Sequence, residues 1–149
     1  MGTRWLSESD QVVWRHYLRA TMEVREGLER DLLAENDLSL NEYEVLVVLS
    51  EQPNHRIRMA TLADELVNSR SRLSHTVGRM ERRGLVERSS CAQDGRGVFC
   101  RLTDAGFEAL EAAAPHHVES VRRHIFDRLT PEDVECLGKV LSKLGNLKD

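Results

Sequence analysis

The chain has 149 residues, a length typical of one domain, and it is 40% apolar and 31% charged. Its apolar runs are far shorter than the roughly 18 residues that cross a bilayer. The polar start at Met1–Asp10 is unlike a secretory signal. Three cysteines without C-x-x-C spacing exclude a disulfide framework and a cysteine-rich zinc site. We therefore expect a cytoplasmic protein that does not enter a membrane.

The net charge of −4 conceals a strongly uneven distribution. From Arg56 to Arg101 there are ten arginines and no lysine against five acids, a net charge of +5, so the rest of the chain carries −9. A basic middle between acidic ends indicates that one segment meets a polyanion and that the others do not.

The first predicted helix is long and broadly apolar. Ser7 or Ser9 caps it, and it runs to about Leu33 with Asn36 as a stop. Its apolar surface is wide enough to pack on more than one neighbour. The main apolar positions are Val13, Tyr17, Ala20, Val24, Leu28 and Leu32, broadened by Trp14, Leu18 and Met22.

A capping box is predicted at the start of the second helix. The Ser39 hydroxyl and the Glu42 carboxylate satisfy each other's backbone donors, and the helix runs to about Glu51 before Pro53 ends it. Arg56–Arg58 is then long enough only for a very short strand or an extended link.

Two helices joined by a short turn follow. Met59–Leu66 gives about two helical turns, and Val67–Ser69 leads into a second helix that Asn68 or Ser69 caps and Gly84 ends. This is the helix-turn-helix arrangement, in which the first helix braces the second.

The second of these helices has one apolar stripe and one polar, basic face. Leu73, Val77 and Met80 fall at i, i+4 and i+7 and should face a core. A helix with a basic outer face fits the major groove of DNA, where its side chains meet base edges or phosphates. An ordinary solvated face is the alternative. The outward residues are Ser71, His75, Gly78, Arg79 and Arg82, flanked by Arg72 and Ser74.

A β-hairpin is predicted next. Leu85–Ser90 and Val98–Leu102 read as strands, and the glycines within Ala92–Gly97 supply a turn that places Arg96 near its tip. Cys91 and Cys100 lie on either side of this turn, where a disulfide between them would act as a redox switch. With Gln93 opposite Arg96, Cys100 faces Ser89 and lies diagonal to Cys91, which argues against a disulfide between them.

Two helices complete the chain. Thr103 caps a helix from Asp104 to about Asp127, which should kink or break at Pro115. Thr130 caps the final helix, which has proline at its first position. Its apolar stripe is Val134, Leu137, Leu141 and Leu144, with Val140 and Leu147 beside it.

Five stretches in this order resemble the MarR family of bacterial winged-helix transcriptional regulators, across essentially the whole chain. The resemblance implies a mainly α fold with a minor β component: a winged helix-turn-helix with a helical dimerisation region built from both chain ends. Residues 1–38 and 104–149 would form that region, and residues 39–103 would bind DNA. The five stretches are Met59–Ala63, Ser71–His75, Arg82–Val86, Asp94–Gly97 and Leu102–Gly106.

The implied function is that of a homodimeric repressor of transcription. It would bind a pseudo-palindromic operator in double-stranded DNA, and a small aromatic or phenolic effector would release it. Arg96 would reach a minor groove with Asp94 bracing it. Gly95 stands where relatives often carry a basic residue, so we expect Arg88 and Arg101 to add positive charge. The predicted DNA contacts are Ser69, Arg70, Ser71, Arg72, Ser74, His75, Arg79 and Arg96.

The first helix also carries a candidate effector site. Trp14, Arg15 and Tyr17 place an arginine near aromatic rings, which suits a carboxylate on an apolar body. Many regulators of this family take small aromatic acids between their upper helices and the winged module. The alternative is that these aromatic residues belong to the dimer core.

Other functions find less support in the sequence. His116, His117 and His124 with Glu119 are loosely spaced for a zinc site, and we expect no cofactor. No P-loop, nucleophile elbow or Rossmann fingerprint is present, so we do not expect an enzyme. The remaining alternative is a winged-helix dimerisation or protein-docking module that does not read DNA.

Overall fold

The computed structural model describes residues 2–66, 69–90 and 97–145. Within these ranges it has six α-helices, three β-strands and single 3-10 turns at Pro53–His55 and Phe126–Arg128. None of the described helices is long and apolar enough to span a membrane. The helices are α1 (Glu8–Asn36), α2 (Leu40–Ser50), α3 (Met59–Glu65), α4 (Arg70–Arg82), α5 (Asp104–His124) and α6 (Pro131–Leu144). The strands are β1 (Arg56–Arg58), β2 (Val86–Ser90) and β3 (Val98–Leu102).

The described chain separates into two compact units. The winged unit is Glu29–His117, and the end unit comprises the described residues up to Leu28 and from Val118 onward. Helices α1 and α5 therefore each contribute residues to both units. The division into a dimerisation region and a DNA-binding region, with boundaries at 38/39 and 103/104, stays a prediction.

The predicted helix starts are confirmed by their capping hydrogen bonds. Ser39 and Glu42 form a capping box at α2, and Thr130 and Asp133 form one at α6. The Ser7 hydroxyl accepts from the backbone N–H of residue 10 at 3.1 Å. Each cap satisfies donors that a helix leaves free in its first turn, and all its atoms lie within four residues.

Helix α5 does not break at its internal proline. It runs from Asp104 to His124 through Pro115, so the predicted break is wrong, while a kink at this position stays a prediction. Proline removes the hydrogen bond that residue 115 would give to the carbonyl of Glu111. Both residues are exposed, and water can therefore satisfy that carbonyl.

The three strands form an antiparallel sheet in the order β1-β3-β2. Cys100 lies opposite Arg88, and Ser89 lies opposite Phe99. The predicted pairing of Cys100 with Ser89 is therefore wrong by one residue, while Cys91 lies outside the described residues. The observed register turns Cys100 and Val86 to the buried face and Ser89 to solvent, and a one-residue slip would reverse this.

The winged unit has a continuous apolar core. Helices α2, α3 and α4 pack against one another and against the sheet. The predicted α4 stripe of Leu73, Val77 and Met80 is fully buried. Fully buried leucines from α2 and α3 meet it, namely Leu46, Leu49 and Leu62.

The end unit leaves its apolar faces open. In its described part Gly27, Leu28 and Ser120 are buried, whereas Val13 is 67% and Leu144 70% exposed. The predicted apolar surface of α6 and the amino-terminal part of that of α1 are thus uncovered within one chain, whereas Leu28 and Leu32 near the end of α1 are buried. The other large exposed side chains include Trp14, Tyr17, Leu18, Met22, Val118, Leu137, Val140 and Leu141.

Candidate nucleic-acid interface

Local sequence sets both ends of α4. The Ser69 hydroxyl accepts a hydrogen bond from the backbone N–H of Arg72 at 3.3 Å, as expected for the cap. Gly84, with φ of 75°, turns the chain out of the helix in a conformation that other residues rarely adopt. The Thr103 hydroxyl donates to the Gly84 carbonyl at 2.6 Å and holds this turn against β3. Asn68, the alternative cap, lies outside the described residues.

The amino-terminal half of α4 presents an exposed, uncompensated positive charge. Arg70, Ser71, Arg72, Ser74 and His75 are all exposed, as predicted. Within the described ranges no carboxylate pairs with either arginine, and the first turn holds no acidic residue. A positive charge there opposes the helix dipole and costs roughly 0.3–1 kcal/mol. An anion bound at this end of the helix would offset that cost.

The carboxyl-terminal end of α4 is different, because Arg79 and Arg83 are engaged within the protein. Arg79 Nε lies 3.6 Å from Glu42 Oε1, and Arg83 Nη1 lies 3.3 Å from Glu42 Oε2. Arg83 also donates to the Asp37 carbonyl at 2.8 Å. No sequence pattern indicated this pairing, which joins residues 41 positions apart.

Gly78 does not point outward as predicted, because an arginine from β2 covers it. Arg88 Nη2 lies 3.7 Å from the position that a Cβ on Gly78 would occupy. Arg88 donates to Ser74 Oγ at 3.4 Å and to Glu81 Oε1 at 3.1 Å. The hydrogen bonds that Glu81 accepts from the Arg88 side chain and from the Arg88 backbone N–H lower the pKa of Glu81. The β2 strand is thereby tied to the outer side of α4.

The proposed wing contacts, Arg96 and Asp94, lie outside the described residues. The two strand arginines expected to add positive charge to the wing are both paired. Arg88 bonds Glu81, and Arg101 Nη2 lies 2.7 Å from Glu87 Oε2.

A second basic surface lies on the outer face of the sheet, and sequence reasoning missed it. The guanidinium carbons of Arg56 and Arg58 lie 3.9 and 5.2 Å from the centre of the Phe99 ring. Both distances suit cation–π attraction. The alternation of arginine and isoleucine in Arg56–Arg58 was the available signal, since alternate residues of a strand share a face.

The three predicted effector residues lie on α1 and are exposed. Trp14 and Tyr17 stack on each other, with ring centroids 5.9 Å apart. Arg15 lines a depression on the same helix, and neither of the stacked rings is among the residues that line it. The depression also includes His16, Leu18, Arg19 and Met22.

The histidines of α5 have separate surroundings. His116 Nδ1 lies 3.1 Å from Asn36 Oδ1, and the His117 ring packs on Tyr43 at 4.3 Å between centroids. Burial lowers the pKa of His117. No three metal-ligating side chains of the described chain come together in a way that could hold a metal ion, so the structure lends no support to a zinc site.

The order and packing of these elements define a winged helix-turn-helix protein with a basic recognition helix, α4. A profile of the MarR family matches residues 36–97. Transcriptional regulator HosA of Escherichia coli is 33% identical over 110 residues, which are 74% of this chain and 79% of HosA.

Two solved structures from Streptomyces coelicolor extend this likeness over almost the whole chain. Sco3205, a MarR family regulator in complex with DNA, is 43% identical, with a TM-score of 0.91 over 96% of this chain and 89% of its own. AbsC, another MarR family regulator, is 46% identical, with a TM-score of 0.87 over 95% of each chain. The chain belongs to the MarR family of transcriptional regulators. The predicted family and fold class are confirmed, and its relatives are regulators and not enzymes.

Proposed function

We propose that this regulator is a repressor that reads its operator with α4 in the DNA major groove. The observation that carries the proposal is the exposed amino-terminal half of α4, where Arg70 and Arg72 have no carboxylate partner among the described residues. Ser71 and His75, one helical turn apart, are suited to base edges, and the arginines to phosphates. Structural likeness to Sco3205, whose structure contains DNA, supports this assignment.

The other predicted DNA contacts take supporting parts in this proposal. Ser69 and Ser74 flank the reading face, and Arg79 stands farther along the helix with its charge partly engaged by Glu42. Arg96, braced by Asp94, is proposed to enter the flanking minor groove.

The end unit supports the second element of the proposal, a homodimer built from both chain ends. Its apolar faces on α1 and α6 are open to solvent in one chain. A second copy of the chain would bury them and supply the core that the unit lacks. Two-fold symmetry then requires a pseudo-palindromic operator with half-sites about 10 bp apart, one helical turn of DNA.

A small molecule is proposed to release the DNA. The proposed site comprises Trp14 and Tyr17, which stack on each other, and Arg15, which lines a depression on the same helix with Arg19, Leu18 and Met22. This combination fits a carboxylate on an aromatic body. The ligand would release DNA if it bound better to dimers whose recognition helices are wrongly spaced for the groove. In the cytoplasm, such a dimer on a promoter would block transcription until the ligand appeared.

Selection from a pool of random duplexes tests DNA reading directly. We expect the full-length protein to enrich one pseudo-palindromic sequence and to bind it with an affinity that falls steeply with salt. A protein-docking module would enrich no sequence. That result would reject the proposal.

The dimer has its own test with a matched control. Leu141→Glu places a charge on the open face of α6, whereas Val98→Glu places it at a similarly exposed site in the winged unit. Light scattering should show a monomer for Leu141→Glu and a dimer for Val98→Glu and the unaltered protein. A dimeric Leu141→Glu protein would place the interface elsewhere.

A further inference from the structure

Glu42 is a buried carboxylate at the point where α2 meets the recognition helix. Its residue is only 5% exposed. Its Oε2 accepts from the Ser39 backbone N–H at 3.0 Å and from Arg83 Nη1 at 3.3 Å, and its Oε1 lies 3.6 Å from Arg79 Nε. A buried charge is tolerated only when it is paired and hydrogen-bonded. Here two guanidinium groups and one N–H meet that need.

Interactions at the start of α2 hold the Glu42 carboxylate in place. It belongs to the capping box in the first turn of α2, so its backbone and side chain are both fixed. The Glu29 carboxylate accepts a hydrogen bond from the backbone N–H of Leu40, the residue that follows Ser39. Leu40, Val45 and Leu46 are buried in the core of the winged unit. Glu42 is therefore a rigid anchor.

The two arginines are spaced to fix the orientation of α4. Arg79 and Arg83 are four residues apart, so they leave the helix on one side about 6 Å apart along its axis. Arg83 is further tied to Asp37 through the carbonyl at 2.8 Å and the carboxylate at 3.5 Å. A rotation or axial shift of α4 by one residue would separate both arginines from Glu42.

Apolar packing alone specifies this orientation weakly. The buried stripe of α4 is narrow, with Leu73, Val77 and Met80 as its large members. Such a stripe tolerates a small roll of the helix, because apolar contacts are not directional. Ser71 and His75 must meet base edges with hydrogen-bond geometry, which is lost within about an ångström.

We infer that Glu42 is a positioning residue for DNA recognition: by clamping Arg79 and Arg83 it sets the roll of the recognition helix and so the preference for operator over other DNA. The inference rests on the proposed reading of DNA by α4. It assigns Arg83 to the clamp and gives Glu42 no contact with DNA.

The clamp differs in its consequences from two simpler roles. If Glu42 only repelled DNA, its neutralisation would strengthen binding to every sequence alike. If it only stabilised the fold, its loss would lower the melting temperature and leave the sequence preference of the folded protein unchanged. A clamp predicts that operator binding weakens while the freed arginines hold or raise affinity for unrelated DNA.

The test compares Glu42→Gln with the unaltered protein in the full chain. The probes are a 30-bp duplex, about three helical turns, carrying the sequence enriched by the unaltered protein, and a scrambled duplex of the same length and composition. We expect the ratio of the two affinities to fall at least about fivefold. Affinity for the scrambled duplex should be unchanged or higher. Glu87→Gln is the matched control, since it also removes a carboxylate from an arginine pair but touches only Arg101, and it should leave the ratio unchanged.

A second variant keeps the test decisive if Glu42→Gln folds poorly. Arg83→Lys retains the positive charge but cannot reach Glu42 and the Asp37 carbonyl with one planar group, and it too should lower the ratio. An unchanged ratio in a folded variant would overturn the clamp while leaving DNA reading intact. If the unaltered protein enriched no sequence, the proposed function and the clamp would fail together.

Discussion

Replacing Arg70 and Arg72 together by glutamine should make operator binding less sensitive to salt. Both side chains are exposed in the first turn of α4, and neither has a carboxylate partner in the described part of the chain. Each arginine that contacts a phosphate adds about 0.9 to the slope of log affinity against log salt. The proposed dimer carries four such arginines, so the double variant should reduce that slope by about 3.6.

Fluorescence anisotropy with a labelled operator duplex, from roughly 50 to 300 mM KCl, measures this slope. The matched control replaces Arg122 and Lys139 by glutamine. These residues lie in the end unit and are paired with Asp127 and Glu135, so the slope should hardly change.

Measuring the thermal stability of the double variant distinguishes a loss of DNA contacts from unfolding of the protein. Removing positive charge from the first turn of α4 relieves an unfavourable interaction with the helix dipole. The double variant should therefore be at least as stable to heat as the unaltered protein, although it binds DNA more weakly. A stable double variant with an unchanged slope would show that this end of α4 does not meet the phosphate backbone.

Three further predictions concern groups in and around the core. Burial raises the pKa of Cys100 to about 12. Iodoacetamide at about pH 8 should therefore leave Cys100 unmodified in the folded protein, while the exposed Cys136 reacts. Mass spectrometry that found Cys100 labelled first would contradict this prediction. Burial lowers the pKa of His117 below its usual 6.5. The contribution of the neutral ring to the free energy of unfolding should therefore be complete above about pH 6.5 and be lost as the pH falls through the lowered pKa. His117→Phe should reduce this pH dependence in urea titrations; an unchanged pH dependence would assign the loss to other groups. Gly106→Ala would place a Cβ 2.0 Å from the Leu85 carbonyl oxygen. This substitution should lower the free energy of unfolding by roughly 1–3 kcal/mol. An unchanged free energy in urea titrations would mean that the backbone moves to make room for the Cβ.

Features encoded by neighbouring residues could be predicted from the sequence. The Ser39–Glu42 capping box and the Thr130 cap were predicted, each from residues within one helical turn, and the structure has both. The exposed and buried faces of α4 also followed from helical periodicity, with Gly78 as the exception.

Features set by distant residues could not be predicted. The hairpin register depends on which strand face is buried, and the sequence-based register slipped by one residue because it was built from the turn. Gly78 is covered by Arg88 from the next element, and Arg83 is engaged by Glu42, 41 residues away. Arg83 and Arg88 have long side chains that can reach several partners, and the packing of the folded chain determines which partner each one contacts.

Photo-crosslinking from the reading face of α4 tests the central claim most directly. A photoreactive amino acid in place of Ser71 should crosslink to the enriched duplex, and an excess of unlabelled enriched duplex should compete better than an excess of scrambled duplex. The same amino acid in place of Glu111, which is exposed on α5, should crosslink weakly or not at all. Binding without a crosslink from position 71, or equal crosslinking from both positions, would contradict recognition of the operator by α4.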